Sequence, residues 1–203
     1  MLSARFTAAV EYARIAHAGQ TRKGTAIPYL QHLLGVASLV LEHGGDEDQA
    51  IAGLLHDVLE DCGEAHAGTI GERFGERVLA MVLGCTDGTA EAKAVLADAG
   101  ARRRDWLCRK QAYLNHLAHA SDEMLLVAGC DKLHNARAIV GDLERPEVGQ
   151  GVFERFTGGR DGTLTYYRLL VDLFTQRGAA MAPALEATVA RMDALAGENL
   201  RDA

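Results

Sequence analysis

The chain has 203 residues, with 3 prolines, 5% aromatic residues and a formal net charge of −7 at pH 7. This length fits one substantial hydrophobic core better than two, and a composition rich in Ala, Leu, Glu and Arg but poor in aromatic residues favours an all-α fold over sheets. The acidic balance argues against a general nucleic-acid surface, and every apolar run is shorter than the ~20 residues of a membrane helix.

The first predicted elements are two helices joined by a basic loop. Apolar residues spaced three and four apart predict helices over residues 4–18 and 30–42. Between them, residues 19–28 hold two glycines and a proline, which oppose regular helix. The same stretch carries the adjacent Arg22 and Lys23, so we expect an exposed basic loop.

Two further helices are predicted before residue 86. Asp46 follows a pair of glycines and is a good N-cap for a third helix, which is expected to carry His56 and Asp57. Thr69 and Glu72 form the sequence pattern of a capping box, so a fourth helix is expected to begin there and to continue without a break to about residue 84.

The second half of the chain is less regular. Residues 91–120 predict one interrupted helix or two, because Gly100 and the arginine run 102–104 fall in the middle. The later elements are a helix capped by Ser121 and reaching about residue 140, a loop with a short helix over 141–162, a helix over 163–176, and a last helix with Pro183 in its first turn.

Four polar side chains interrupt otherwise apolar helical segments: His32, His56, Asp57 and Asp131. Burying an ionised carboxylate without a partner costs several kcal/mol, so a bound cation is expected to compensate Asp57. Two neutral imidazoles and two carboxylates suit Mn²⁺, Fe²⁺ or Zn²⁺, and the carboxylates favour Mn²⁺. Such an ion activates water and polarises a phosphoryl oxygen, which are the requirements for hydrolysing a phosphate ester.

Charged residues near these candidates complete the predicted chemistry. Glu60 and Asp61 each lie four residues beyond His56 and Asp57, one helical turn further along the same side. Carboxylates there could orient an attacking water or exchange a proton with the leaving group. The basic pair in the 19–28 loop offers the positive charge that a polyphosphate needs.

Four segments occur in a fixed order along the chain: AHAGQTRKGTAIPYLQH (16–32), GLLHDVLED (53–61), FGERV (74–78) and DKLHNAR (131–137). On these segments the sequence resembles the HD-domain phosphohydrolases, and within them the alarmone hydrolase domain of the RelA/SpoT type. The resemblance implies a helical bundle of about eight to ten helices forming a single domain over residues 1–203. Its motif-bearing core would span about 4–175, with a C-terminal helical extension over 176–203.

The resemblance also implies an activity, namely removal of the 3′-pyrophosphate from guanosine tetra- or pentaphosphate to give GDP or GTP and pyrophosphate. The implied roles are metal binding by His32, His56, Asp57 and Asp131, assistance of phosphate attack by Glu60 and Asp61, and nucleotide contacts by Arg22, Lys23 and Asn135.

Departures from the family pattern leave the nucleotide open. Leu33 stands where the family usually has proline, Lys132 where it has arginine, Ala136 where methionine is frequent, and Cys62 where threonine is common. Relatives of this kind can act on other phosphorylated nucleotides, including NADPH. A non-catalytic nucleotide sensor is a further alternative.

Each candidate also has a purely structural interpretation. The arginine run 102–104 is interpreted as a solvated face, and His134 as either a group supporting the site or an ordinary packing histidine. The other structural roles are a hydrogen-bonded core histidine for His32, a buried ion-pair partner for Asp131, a solvated helix end for Glu60 and Asp61, and solvated loop charges for Arg22 and Lys23.

The four cysteines show no C-x-x-C pairing, and no apolar signal core follows the amino terminus. We therefore expect a reduced, cytoplasmic protein whose partner is a small nucleotide rather than a nucleic acid or a membrane. The sequence does not indicate an oligomer.

Overall fold

Helices account for the regular structure of residues 1–86 and 98–198, which are the residues that the computed structural model describes. The predicted all-α class is confirmed, since the only strand-like feature within these ranges is an isolated bridge between Thr21 and Pro28. The elements in chain order are α1 (Ala4–Ala16), α2 (Leu30–Glu42), α3 (Glu47–Leu55), α4 (Val58–Cys62), α5 (His66–Phe74), α6 (Glu76–Cys85), α7 (Ala99–His119), α8 (Asp122–Leu143), a 3₁₀ helix (Gly149–Arg155), α9 (Gly159–Gln176) and α10 (Ala182–Glu198).

The helices group into two compact units. The first comprises Met1–Val95 and Ala120–Asp131, and the second comprises Leu96–His119 and Lys132–Ala203. Asp131 is therefore the last residue of the first unit. The single domain over 1–203, with its core and extension, stays a prediction.

In the first unit, α3 is the central helix and packs against α1, α2 and α6. Seven consecutive residues of α3, 49–55, are buried. The approach to α2 is close because small residues face each other: a Cβ built on Gly53 would lie 3.3 Å from the Cα of Ala37. This short interhelical distance brings the first turn of α2 near the end of α3.

The predicted N-cap of α3 is confirmed. The Asp46 side chain accepts a hydrogen bond from the Gln49 backbone N–H at 3.0 Å, and the Gln49 side chain accepts one from the Asp46 N–H at 3.0 Å. This reciprocal capping box satisfies two N–H groups that a helix start otherwise leaves unpaired.

The capping box predicted at Thr69 is wrong, because Thr69 lies inside α5, which already begins at His66. The continuous helix expected there is also interrupted at Gly75, whose φ of 95° lies in the left-handed region that favours glycine. A helix ends at such a residue, and α6 starts directly after it.

In the second unit, α9 packs against α7, α10 and the 3₁₀ helix. Trp106 of α7 packs against Gly158, the residue that precedes α9, and against Gly162 within α9. The expected interruption near Gly100 is absent from the described part of this segment, since α7 is one helix from residue 99; residues 91–97 lie outside the described residues. The short helix expected within 141–162 is the 3₁₀ helix.

Among the helices described, none combines the length and the apolarity needed to cross a bilayer.

Candidate metal centre

Three separate elements of the first unit bring the four predicted ligands together. His32 lies in the first turn of α2, His56 and Asp57 lie between α3 and α4, and Asp131 lies in the middle of α8. The Nε2 atom of His32 is 3.6 Å from Asp57 Oδ2 and 3.2 Å from Asp131 Oδ1. The Nε2 atom of His56 is 3.0 Å and 3.5 Å from the same two oxygens. All four side chains thus point at one spot.

The local structure around His56 and Asp57 differs from the prediction of one continuous helix. α3 ends at Leu55, and the chain turns through His56 and Asp57 before α4 begins at Val58. Successive side chains on an unbroken helix diverge by about 100°. The two-residue turn instead allows His56 Nε2 to approach Asp57 Oδ2. Periodicity could not reveal this break, because no glycine or proline marks it and both flanking helices bury apolar residues.

The hydrogen bonds of His56 fix which of its nitrogens faces the cluster. Its Nδ1 lies 2.9 Å from the backbone carbonyl of Gly53. A carbonyl only accepts, so Nδ1 carries the hydrogen and donates. The Nε2 atom is therefore directed at the carboxylates of Asp57 and Asp131, as in histidines that bind a metal through one nitrogen and are oriented through the other.

Electrostatics at the cluster are dominated by burial and by opposite charges in contact. Burial lowers the pKa of His56, but the carboxylates of Asp57 and Asp131 raise it by more, so its pKa stands well above the usual range. Burial raises the pKa of Asp57, but His56 and His32 lower it by more, so its pKa stands well below the usual range. The site therefore keeps its carboxylate ionised and attracts positive charge.

The donor set fits a divalent cation. His32, His56 and Asp57 each offer a ligand atom within 4.8 Å of the others. Asp131, whose side chain is only 8% exposed, adds a second carboxylate oxygen. Two imidazole nitrogens and two carboxylate oxygens are the mixed set that first-row divalent ions accept. A cation there would neutralise the carboxylates of Asp57 and Asp131, which both lie within 3.6 Å of the two imidazoles.

Tyr29 and His17 also belong to this region, although sequence reasoning did not select them. The Tyr29 hydroxyl donates a hydrogen bond to Asp57 Oδ2 at 2.6 Å. His17 is 4% exposed and stacks on the Tyr29 ring, with a centroid distance of 5.1 Å and an interplanar angle of 23°. Burial lowers the pKa of His17. The sequence feature that could have selected Tyr29 and His17 is their position in the 16–32 motif, on either side of the basic loop.

The basic loop has the predicted irregular structure and lies beside Tyr29. Its ends are joined by hydrogen bonds from the Arg22 N–H to the Ile27 carbonyl at 2.8 Å and from the Tyr29 N–H to the Gln20 carbonyl at 2.9 Å. The Arg22 guanidinium carbon is 5.8 Å from the centre of the Tyr29 ring, a cation–π distance. Arg22 is half-buried and Lys23 is exposed.

The two predicted acids lie on α4, the helix that follows Asp57. Glu60 is half-buried, and Asp61 is exposed. Burial raises the pKa of the Tyr29 hydroxyl, and the negative charges of Asp57 and Asp61 raise it further.

Asn135 follows Asp131 by one turn of α8 but belongs to the second unit, together with the half-buried His134. Its nucleotide contact stays a prediction.

The fold and the cluster define an all-helical protein with an internal centre of histidines and aspartates suited to a divalent ion. The model of the HD domain family matches residues 9–164, which is more than half of the chain. The chain therefore belongs to the HD domain family.

Two curated relatives share sequence with the chain to different extents. It is 34% identical over 140 residues to the guanosine-3′,5′-bis(diphosphate) 3′-pyrophosphohydrolase MESH1 of Xenopus tropicalis, a match that covers 68% of each protein. It is 47% identical over 78 residues to the guanosine-3′,5′-bis(diphosphate) 3′-pyrophosphohydrolase of Aquifex aeolicus, covering 38% of this chain. The chain spans only 11% of the length of that Aquifex protein.

Two solved structures share the fold. A metazoan ortholog of SpoT that hydrolyses ppGpp matches with a TM-score of 0.70 and 26% identity, covering 97% of this chain and 98% of that chain. A protein of Listeria monocytogenes matches with a TM-score of 0.62 over 86% of this chain and 99% of that chain. At 22% identity, the second match supports likeness of fold alone.

Proposed function

We propose that this chain is a metal-dependent hydrolase that removes the 3′-pyrophosphate of guanosine tetra- and pentaphosphate, giving GDP or GTP and pyrophosphate. The observation that carries the proposal is the convergence of two histidines and two aspartates at one spot of an HD domain. The relatives from Xenopus and Aquifex bear the name of this activity, and the metazoan neighbour hydrolyses ppGpp.

The side chains that would hold the metal are His32, His56, Asp57 and Asp131. Their mixed nitrogen and oxygen donors, half of them carboxylates, support Mn²⁺ as the ion. When bound, a divalent ion makes a water molecule more acidic and withdraws electrons from a phosphoryl group. The four cysteines are free thiols, which supports the reducing cytoplasm as the compartment.

The remaining groups would orient the substrate and move protons. The oxygen of a water molecule forms a bond to the phosphorus next to the ribose, and the bond from that phosphorus to the ribose 3′ oxygen breaks. Glu60 or Asp61 accepts a proton from the attacking water, and a proton ends on the 3′ oxygen, so pyrophosphate leaves and a 3′ hydroxyl remains.

Arg22 and Lys23 would bind the negative charge of the nucleotide, and Asn135 would contact it through its amide. Arg22 stands over the Tyr29 ring at 5.8 Å, and Tyr29 itself is hydrogen-bonded to Asp57. The basic loop is therefore next to the proposed metal ligands, where a phosphorylated substrate needs positive charge.

Incubation of the purified chain with Mn²⁺ and guanosine tetraphosphate tests the proposal. Wild type should release pyrophosphate and GDP, and Asp57→Ala should lower the rate by at least about 100-fold, since loss of a ligand exceeds the effect of losing a supporting group. The matched control is Asp172→Ala, which removes an exposed carboxylate of α9 and should leave the rate unchanged.

The outcomes separate the alternatives. The metal-loaded wild type could leave guanosine tetraphosphate intact and hydrolyse NADPH or another phosphorylated nucleotide. That result would contradict the proposed substrate and support the proposed metal-dependent hydrolysis. Tight nucleotide binding without turnover at saturating Mn²⁺ would make the chain a sensor.

A further inference from the structure

Tyr29 touches the proposed metal ligands although it is not one of them. Its hydroxyl donates to Asp57 Oδ2 at 2.6 Å. The same oxygen is 3.0 Å from His56 Nε2 and 3.6 Å from His32 Nε2. One oxygen of Asp57 therefore faces both imidazoles and the tyrosine hydroxyl at once.

The direction of this hydrogen bond is set by chemistry. An ionised carboxylate only accepts, so the tyrosine must donate. A tyrosine hydroxyl ordinarily has a pKa of about 10, so it carries its proton near neutral pH and can donate. A hydrogen bond from a neutral hydroxyl to a carboxylate is among the stronger ones in proteins.

The tyrosine ring is held in place by contacts that do not involve Asp57. His17 stacks on it at 5.1 Å, and His32 meets it edge to face at 5.5 Å. His17 is in turn held by a hydrogen bond to the Gln20 side chain at 2.7 Å. The hydroxyl is thus positioned by packing before it meets Asp57, which is the condition for one group to orient another.

We propose that Tyr29 is a positioning residue for the metal centre: its hydroxyl holds the Asp57 carboxylate with Oδ2 turned toward His32 and His56. Asp57 is the N-cap residue of α4, but its side chain makes no capping hydrogen bond to that helix, so the start of α4 does not fix its side-chain torsions. This inference rests on the proposed metal site. It assigns the hydroxyl to metal affinity rather than to contact with the nucleotide.

Metal binding by Tyr29→Phe tests the inference, with Mn²⁺ alone as the probe and free Mn²⁺ counted by electron paramagnetic resonance. The phenylalanine keeps the ring and its stacking on His17 but removes the donor. We expect the dissociation constant for Mn²⁺ to rise roughly 10–100-fold, the range for losing a group that orients a ligand. Circular dichroism should match wild type.

The matched control is Tyr12→Phe. The Tyr12 hydroxyl makes a hydrogen bond of the same length, 2.6 Å, to Nδ1 of His66, also in the first unit. Its removal should leave the Mn²⁺ dissociation constant unchanged, because His66 is not among the proposed ligands. A general loss of packing would affect both variants alike, whereas loss of ligand positioning affects only Tyr29→Phe.

The results separate this inference from the metal site itself. If wild type binds no Mn²⁺, the proposed centre fails. If wild type and Tyr29→Phe bind Mn²⁺ equally well, the centre stands and the positioning role is overturned. A Tyr29→Phe protein that loses its fold without metal would assign the hydroxyl to folding and would also overturn it.

Discussion

Asp57, Glu60 and Asp61 lie within five residues of one another, but we expect them to have different roles in the site. Asp57 contacts both imidazoles, whereas Glu60 is half-buried and Asp61 is exposed one turn later on α4. A residue that moves a proton must reach water and substrate, and a metal ligand need not. The two acids should therefore influence turnover and leave metal binding alone.

Amide substitution separates these roles. We expect Glu60→Gln or Asp61→Asn to lower kcat by about 10²–10⁴-fold, the usual contribution of a general acid or base. The Mn²⁺ dissociation constant should stay within about twofold of wild type, because all four proposed ligands remain. Steady-state kinetics and Mn²⁺ titration measure the two quantities. A variant that loses metal and activity in parallel would instead make that acid part of the metal centre.

Sequence patterns identified the residue types of the site better than its geometry. A histidine or aspartate in an apolar helix stands out, and all four residues selected on that basis meet in the structure. Tyr29 was missed because tyrosine at the start of an apolar helix fits ordinary packing. Its hydrogen bond to Asp57 depends on how α2 meets the turn after α3, which no local pattern encodes.

At the scale of elements, helix existence was predictable and helix breaks were not. α2 has the predicted bounds, and Asp46 caps α3 as expected. The turn at His56 and Asp57 contains no helix-breaking residue. Gly75 is a helix breaker, but the apolar pattern continues on both sides of it. Periodicity reports which side is buried, and this side does not change across either break.

The capping of α3 leads to a prediction about pH. Burial raises the pKa of Asp46, but the Gln49 N–H and the Arg77 guanidinium lower it by more, so the net shift is downward. Because the pKa of Asp46 is lower in the folded than in the unfolded protein, its carboxylate stabilises the fold at pH values above the unfolded-state pKa of about 4. This contribution is lost as the pH falls through the folded-state pKa.

Asp46→Asn is the matched variant, since asparagine caps helices as well as aspartate does. It should lose only the charge interaction with Arg77, which is worth below about 1 kcal/mol at this exposed position. We expect wild type to exceed the variant in urea midpoint at pH 7 and the difference to shrink at pH 3. Equal differences at both pH values would contradict the assigned cause.

The packing of α7 on α9 gives a second prediction at this scale. A Cβ at Gly158 would lie 2.7 Å from Cη2 of Trp106, and its φ of −69° is one that alanine adopts freely. Gly158→Ala should therefore destabilise the protein by steric overlap alone, by about 1–3 kcal/mol, measured by denaturant unfolding.

Gly141→Ala is the control with the opposite sign. Gly141 lies within α8 with nothing within 4 Å of a built Cβ, so alanine should stabilise the helix by about 0.5–1 kcal/mol. If Gly158→Ala also stabilised the protein, the reduced backbone freedom of the unfolded chain would outweigh the Trp106 contact, and the steric explanation would be wrong.

At the scale of the molecule, the proposed metal connects parts of the chain that are far apart in sequence. Its ligands come from α2, from the turn between α3 and α4, and from the middle of α8, where Asp131 ends the first unit. In the unfolded chain these groups are dispersed, so the ion binds the folded state in preference. Ligand binding of this kind adds stability that depends on ligand concentration.

Calorimetry in the presence of Mn²⁺ tests this coupling. At a free concentration about 100 times the dissociation constant, the ion should add about 2.7 kcal/mol and raise the melting temperature by roughly 5–10 °C for a chain of this length. Chelation with EDTA should reverse the rise. Asp57→Ala should show no rise and Asp172→Ala the full one, because only the first of these carboxylates faces His32 and His56. A rise of equal size in both variants would mean that Mn²⁺ binds elsewhere, since a site without Asp57 would then stabilise the fold as well as the intact one.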